Sequence, residues 1–291
     1  MSAGQRVGAV IVAYHPHADR LGRLISELDK QVARMVVINN GPASSLTLQA
    51  RPRLEVIQTD GNLGVAAAIN LGVDRLRSAA LEDALLLDQD SAINDDLATT
   101  LLEHLERERR DGRQVAAIGP SIHDHDDRQP APFIRFRLPL NQRLRQEEGC
   151  VACDYLITSG CLIDLAHWQD IGPMREAWFI DNIDLEWCFR ARRKGYEILG
   201  CFDAHLDHRI GERHRLFGLI AYRRHDPERL YTMMRNRIFL YRSGAPFAFI
   251  VQDALRAIGK LGLFSLIPPR RRHLQKMLAG LRDGFRTRPL P

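Results

Sequence analysis

The sequence predicts an α/β fold: a mostly parallel central sheet with helices on both faces, followed by a helical C-terminal extension. Three observations carry this. Near-continuous apolar runs at "VGAVIVAY" (7–14), "MVVI" (35–38), "LEVIQ" (54–58) and "ALLL" (84–87) read as strands buried on both sides. Segments with apolar residues at helical spacing alternate with them, the pattern of a sheet covered on both faces. Beyond about Asp226 the strand signal stops and a basic, helix-patterned stretch runs to the end of the chain.

The first run is followed by Leu21, Leu24, Ile25 and Leu28, one face of an amphipathic helix. A second helical pattern spans Val65 to Arg77 between the third and fourth runs. After "LLLDQDS" (85–91), Asn94 reads as an N-cap with Asp95 and Asp96 in an acidic first turn, opening a helix to about Arg110. "VAAIG" (115–119) is the next strand. The polar stretch 123–148, interrupted by Pro130, Pro132 and Pro139, reads as a long loop. "CDYLITSGCLID" (153–164) is strand-like around a Ser159-Gly160 break, and 180–195 reads as one helix with an acidic start, a basic end and a terminal glycine. "YEILG" (196–200) is again strand-like.

Composition narrows the class. The chain has 291 residues, 45% of them hydrophobic and 26% charged, values of an ordinary globular protein. No window reaches the length of uncharged apolar sequence that a spanning helix needs, and no basic head joins an apolar signal-like segment. The expectation is a soluble or peripheral cytoplasmic protein, its five cysteines (150, 153, 161, 188, 201) reduced. Charge is divided unevenly: residues 1–208 hold 23 Lys+Arg against 31 Asp+Glu, a net −8, whereas residues 209–291 hold 18 against 5, a net +13. Such a tail suits an anionic partner or a solvated basic surface.

Asp88 and Asp90 leave the fourth strand at its carboxyl end, where open α/β sheets gather ligands. Carboxylates at i and i+2 on such a turn can face one hard divalent cation, although a bare D-x-D more often only caps the next stretch of backbone. "DGNLGVAAAINLG" (60–72) leaves a strand through Gly61-Asn62-Leu63-Gly64 into a helix, which suggests backbone N–H groups open to a phosphate or, more blandly, a tight turn with a helix cap. Asp181 and Asp184, at i and i+3 on the expected first helical turn, share a face. They suit either dipole complementation or a general base.

Taken in order, "VAYHP", "INNGP", "GNLGVAAAINLG", "LLLDQDS", "ITSGCLID", "WFIDNIDLEWCFRARRKGY", "LDHRIGE" and "LYTMMRN" resemble family 2 glycosyltransferases, specifically the bacterial rhamnosyltransferases that use dTDP-L-rhamnose. The likeness covers roughly residues 7–242. It implies a GT-A fold over 1–225, with a nucleotide-sugar half to about 120 and an acceptor half over 121–225, and a separate helical region at 226–291. It also implies Mg²⁺ or Mn²⁺ held by Asp90 and Asp88 with His208 nearby, and a catalytic base at Asp184, six residues before Arg190, with Asp181 as the second choice. Asn39, Asn62, Gly64, Asp88, Gln89, Asp90 and Arg235 fall on donor-binding positions. One departure stands out: many relatives carry an acid where Asn39 stands, so the choice between a thymine and a uracil donor is open.

The implied reaction is inverting transfer of L-rhamnose to a hydroxyl of a lipid-linked saccharide or glycolipid, at the inner face of the cytoplasmic membrane. Alternatives are a UDP-linked donor, a nucleotidyltransferase, which shares paired carboxylates and metal, and a nucleic-acid-binding tail. The last lacks helix-turn-helix or zinc-finger signals. "PFAFIVQDALRAIGKLGLFSLI" with "PPRRRH" instead suits an anionic membrane surface, or a helix packed on the catalytic unit. Cys150-Val151-Ala152-Cys153 has C-x-x-C spacing but no second pair, and reads as small buried residues; His123 and His125, in the polar loop, are expected to bind nothing.

Overall fold

The computed structural model describes residues 6–46, 48–123, 129–207, 213–216, 220–223 and 225–287. The apolar runs become β1 (Val7–Ala13), β2 (Arg34–Asn39), β3 (Leu54–Gln58) and β4 (Asp83–Asp88), all mutually parallel. They are joined by α1 (Ala18–Leu28) and α2 (Val65–Ser78), and followed by the short β5 (Ala92–Ile93), α3 (Leu97–Arg110) and β6 (Val115–His123). A small hairpin of β7 (Phe133–Arg135) and β8 (Gln142–Leu144) precedes β9 (Cys150–Ala152), β10 (Cys161–Asp164), α4 (Leu165–Ile171), α5 (Ile183–Arg193) and β11 (Glu197–Asp207). The central sheet runs β3-β2-β1-β4-β10-β6-β11-β5, with β9 also paired to β11. β10 is antiparallel to both its neighbours, so the sheet is mixed at that strand alone among its long members.

Alternation along each strand sorts side chains to two faces. Ala9, Ile11, Met35, Val37, Leu85 and Leu87 pack under α1 and α3, whereas Val10, Val36, Ile38 and Leu86 pack under α2, α4 and α5 with Trp168 and Trp187. Both faces are therefore apolar, which is why these strands read as continuous runs. Register places the carboxyl ends level: Val12 lies opposite Asp88, Ala13 opposite Asn39, and Asn39 opposite Gln58. That edge is where the loops with polar and acidic residues emerge.

Beyond a second hairpin, β12 (Arg213–Leu216) with β13 (Ile220–Arg223), three helices follow: α6 (Pro227–Arg242), α7 (Phe247–Phe264) and α8 (Arg270–Arg286). α8 lies directly on α6; a Cβ at Gly280 would come within 2.3 Å of the Tyr231 carbonyl oxygen, so glycine sets the closeness of that contact. Arg237 and Tyr241 of α6 both bond to Asp253 of α7, at 2.6 and 2.7 Å. Among the described residues no helix is long and apolar enough to cross a membrane.

Three local expectations change. The helix expected from Asn94 starts at Leu97 with Asp96 at its N-cap, because residues 92–93 first pair with β11. The polar stretch 123–148 contains the β7–β8 hairpin, whose Phe133 and nearby Phe136 are buried. The helix expected from 180 starts at Ile183; Asp181 and Asn182 both adopt positive φ, 63° and 65°, so Asp181 stands in a turn before the helix and not on its first turn with Asp184.

Candidate active site

The carboxyl edge of β4 ends on Asp88, whose carboxylate accepts a hydrogen bond from Ser159 Oγ, a side chain buried at the break before β10. Ser91 Oγ accepts from the Asp88 N–H at 3.2 Å, folding the D-x-D turn back on itself. Gln89 is occupied: its Oε1 takes the Tyr14 N–H at 2.6 Å and its Nε2 donates to the Tyr14 carbonyl at 3.1 Å, tying the turn to the end of β1. Asp90 is half-buried and lines a cleft of about 750 Å³ together with Arg20, Arg23, Asn94 and Asp207. Asp207 is the last described residue before His208, which itself lies outside the described residues.

Asp184, on the first turn of α5, is the most perturbed carboxyl group of this region. Burial first, and then the neighbouring Asp181 and Asp88 carboxylates, push it up to about 6, against the Leu185 N–H that its Oδ1 accepts. That bond is 2.8 Å long. The structure thus brings Asp88, Asp181 and Asp184 into one electrostatic neighbourhood although they come from β4, a strained turn and α5. Asp181 is differently engaged: Arg229 of α6 donates to both of its oxygens, at 3.0 and 3.3 Å. Asn182 and Leu185 border a second cavity of about 660 Å³, lined by Phe136, Tyr155, Arg143 and Arg256.

Two of the N–H groups of the turn Gly61–Gly64, expected to be open to a phosphate, are taken up inside the protein. Leu63 N–H bonds to Asn40 Oδ1 at 2.8 Å and Gly64 N–H to Asn62 Oδ1 at 2.9 Å. Val65 and Ala66 N–H groups both go to the Phe179 carbonyl, at 2.6 and 3.3 Å. Two of the N–H groups that open α2 are therefore taken by the protein itself. Gly64 sits at φ 86° with Phe179 pressed on it; a Cβ there would come within 2.5 Å of the ring and 2.7 Å of the carbonyl oxygen. This turn is a clamp on the segment that leads to Asp181 and Asp184.

The same segment is held from the other side by α6. Asn236, fully buried, donates to the carbonyls of Trp178, Ile180 and Asp181 at 2.8, 2.6 and 3.0 Å. Arg235 donates to the carbonyls of Ala177 and Trp178 and lies over the Tyr231 and Phe239 rings. Phe179, Asp181 and Asn182 all have positive φ, a conformation that costs free energy at non-glycine residues and persists only when the surroundings enforce it. Sequence reasoning missed Ser159, Asn40 and the full role of Asn236. Their signal was only polar residues inside otherwise apolar context, and the partners are far away in sequence. Asn39 is also buried, with its Nδ2 bonded to Gln58 Oε1 at 2.6 Å and to the Pro42 carbonyl at 3.2 Å.

A family model described as glycosyl transferase family 2 matches residues 9–163, more than half of the chain. The chain belongs to glycosyl transferase family 2. It is an enzyme that transfers a glycosyl group from a nucleotide sugar, and its fold is GT-A. Among curated relatives, dTDP-rhamnosyl transferase RfbF of Shigella flexneri is 26% identical over 287 residues, covering 96% of this chain and 95% of that protein. Among solved structures, GalNAc-T7 with UDP, GalNAc and Mn²⁺ superposes with a TM-score of 0.62 at 13% identity over 97% of this chain. TarS of S. aureus gives 0.50 at 14% identity over 91%. The chain spans 56% and 44% of those two structures, about half of each, and the likeness to them is one of fold.

Proposed function

We propose that this glycosyltransferase is a metal-dependent, inverting rhamnosyltransferase that moves L-rhamnose from dTDP-L-rhamnose to a hydroxyl of a lipid-linked saccharide or glycolipid. The observation that carries the mechanism is the convergence of Asp88, Asp181 and Asp184 at the carboxyl edge of the sheet, with Asp184 raised to about 6. The near full-length likeness to a dTDP-rhamnosyl transferase supports the donor.

Asp184 is the general base. Its ordinary carboxylate would be too weak to accept an acceptor hydroxyl proton efficiently, and burial brings its affinity for a proton nearer to working pH. The hydroxyl attacks the anomeric carbon from the side opposite the departing diphosphate, which inverts the centre. Asp181, paired with Arg229, shapes the field around Asp184.

Asp90, which opens on the cleft, and Asp88, two residues before it, suit a hard cation, since carboxylate oxygens are the donors that Mg²⁺ and Mn²⁺ prefer. His208, next in the chain to the cleft-lining Asp207, is the proposed third ligand on the resemblance alone. When bound, the cation offsets the charge that develops on the leaving nucleoside diphosphate. Asn62, exposed at its turn, is proposed on the donor side. Gly64, Gln89, Asn39 and Arg235 serve the donor site through the loops they hold.

The cavity beside Asn182 and Leu185 suits the acceptor: Tyr155 offers an aromatic face for a sugar ring, and Arg143 and Arg256 suit a phosphate linkage. We assign residues 1–225 to the catalytic unit, with its donor half to about 120, and 226–291 to a helical region that buttresses it. Phe247, Leu255 and Ile258 are 71%, 65% and 65% exposed at helical spacing on α7. With the exposed Arg270, Arg271 and Arg272 at the start of α8 they suit an anionic membrane surface. The test is incubation with dTDP-L-rhamnose and an undecaprenyl-diphosphate-linked saccharide, reading dTDP release and the anomeric configuration of the product. Inverted rhamnoside supports the proposal; turnover of a UDP-sugar in place of dTDP-rhamnose would replace the donor, and retention would overturn the mechanism.

A further inference from the structure

Cys150 and Cys201 face one another across β9 and β11. Phe202 N–H bonds to the Gly149 carbonyl and Cys153 N–H to the Ile198 carbonyl, so the hydrogen-bonded pairs of this antiparallel ladder fall at 202/149 and 198/153. Pair 201/150 is then a non-hydrogen-bonded pair, the kind in which opposed side chains approach most closely. The C-x-x-C spacing is misleading, because Cys153 turns into the core under α5 whereas Cys150 and Cys201 pack on the α3 side.

His104 of α3 completes the group. One of its ring nitrogens and the two sulfurs all lie within 4.8 Å of one another. Asp203 Oδ2 is 2.7 Å from His104 Nε2, and the same carboxylate accepts the Gly149 N–H at 3.0 and 3.1 Å. The Asp203 carboxylate thus lies against Nε2 and leaves Nδ1 as the ring nitrogen it does not meet, the placement by which a carboxylate orients a metal-ligating histidine.

We propose that Cys150, Cys201 and His104 form a site for one Zn²⁺ ion, with a solvent ligand in the fourth position and Asp203 orienting the histidine. Zinc bonds of about 2.3 Å to sulfur and about 2.0–2.1 Å to nitrogen place ligand atoms roughly 3.5–3.8 Å apart in a tetrahedron, a small contraction of the observed group. A disulfide would need only the two cysteines; the carboxylate-oriented histidine is the feature that favours a metal. Binding releases the two thiol protons, so affinity falls as pH falls. Two thiolates and an imidazole are a different donor set from the oxygens of Asp88 and Asp90, and the site is on the sheet face opposite α5. The bound ion would fasten the edge strand β9 and the turn at Gly149 to α3.

The test uses the full-length protein purified under reductant, with metal content measured by mass spectrometry and uptake of Co²⁺ followed by its thiolate charge-transfer absorption. One equivalent of metal per chain with that absorption is expected. Cys201→Ser and Cys150→Ser should lose it, Cys153→Ser and Asp90→Ala should keep it, and Asp203→Asn should weaken affinity about 10–100-fold. If a cysteine variant does not fold, the wild-type spectrum and His104→Gln decide. Absence of the charge-transfer band in reduced wild-type protein, or its persistence in both cysteine variants, overturns the proposal. So does a Cys150–Cys201 disulfide whose reduction restores no metal uptake.

Discussion

Replacing Asp184 by Asn should abolish transfer and at the same time make the unliganded protein more stable. The change is nearly isosteric, and the Leu185 N–H that Asp184 Oδ1 accepts at 2.8 Å can be accepted equally by an amide oxygen. Loss of a general base removes about 10²–10⁴ of rate. At about 1.4 kcal/mol per decade, that is roughly 3–6 kcal/mol on the barrier. The stability effect follows from linkage. Asp184 is raised from 3.8 to about 6, so the native state binds more protons than the unfolded state across that window. Its contribution to stability therefore declines as pH rises from about 4 to 6, and the cost is fully present above. A two-unit shift corresponds to about 3 kcal/mol; solvent on the open side of this half-buried group screens part of it, leaving about 1–2 kcal/mol. Thermal melts in EDTA should show the Asn variant several degrees more stable near pH 8, at about 2–4 °C per kcal/mol, with the gain shrinking toward pH 4. Wild-type kcat/KM should rise with pH through about 6 as the base deprotonates. Turnover of the variant within tenfold of wild type, or a stability change that does not depend on pH, would refute this assignment.

Asp90→Ala should lose divalent-metal-dependent binding of nucleoside diphosphate in calorimetry while the melting temperature stays within a degree or two, since no backbone bond depends on its side chain among the described residues. Gly64→Ala drives a Cβ to 2.5 Å from the Phe179 ring; overpacking of this kind costs about 1–3 kcal/mol, and kcat should fall with the melting temperature. Asn236→Ala removes the donor to the carbonyls of Ile180 and Asp181 and one of the donors to that of Trp178. About 1–3 kcal/mol of stability should be lost, and turnover should drop more than the loss of folded protein accounts for. Replacing Phe247, Leu255 and Ile258 by Ser should weaken sedimentation with anionic vesicles without changing nucleotide binding in solution.

The sheet was legible because its strands are buried on both faces: Val10 and Ile11, neighbours in sequence, enter opposite cores and both must be apolar. Asp88 and Asp90 were legible for a related reason, since a carboxylate following three leucines can only stand where a buried strand ends. The turn before α5 was not. Helical periodicity and an acidic start are the same whether Asp181 lies on the helix or before it, and what decides is a set of distant bonds from Val65, Ala66, Asn236 and Arg229. That the N–H groups of Val65 and Ala66 are occupied was not legible either, because the Phe179 carbonyl that they meet comes from more than a hundred residues away. Cys150 and Cys201 were hidden by strand pairing across fifty residues, while the conspicuous C-x-x-C spacing joined two opposite faces.

The most direct measurement is calorimetric titration of the purified enzyme with dTDP, UDP and GDP, first with Mn²⁺ and then with EDTA. Tight binding of dTDP that needs the metal, exceeds that of UDP and disappears in Asp90→Ala is the expected result. Binding that ignores EDTA, or no nucleotide binding at all, would contradict a metal-held thymidine diphosphate-sugar donor at the edge of β4.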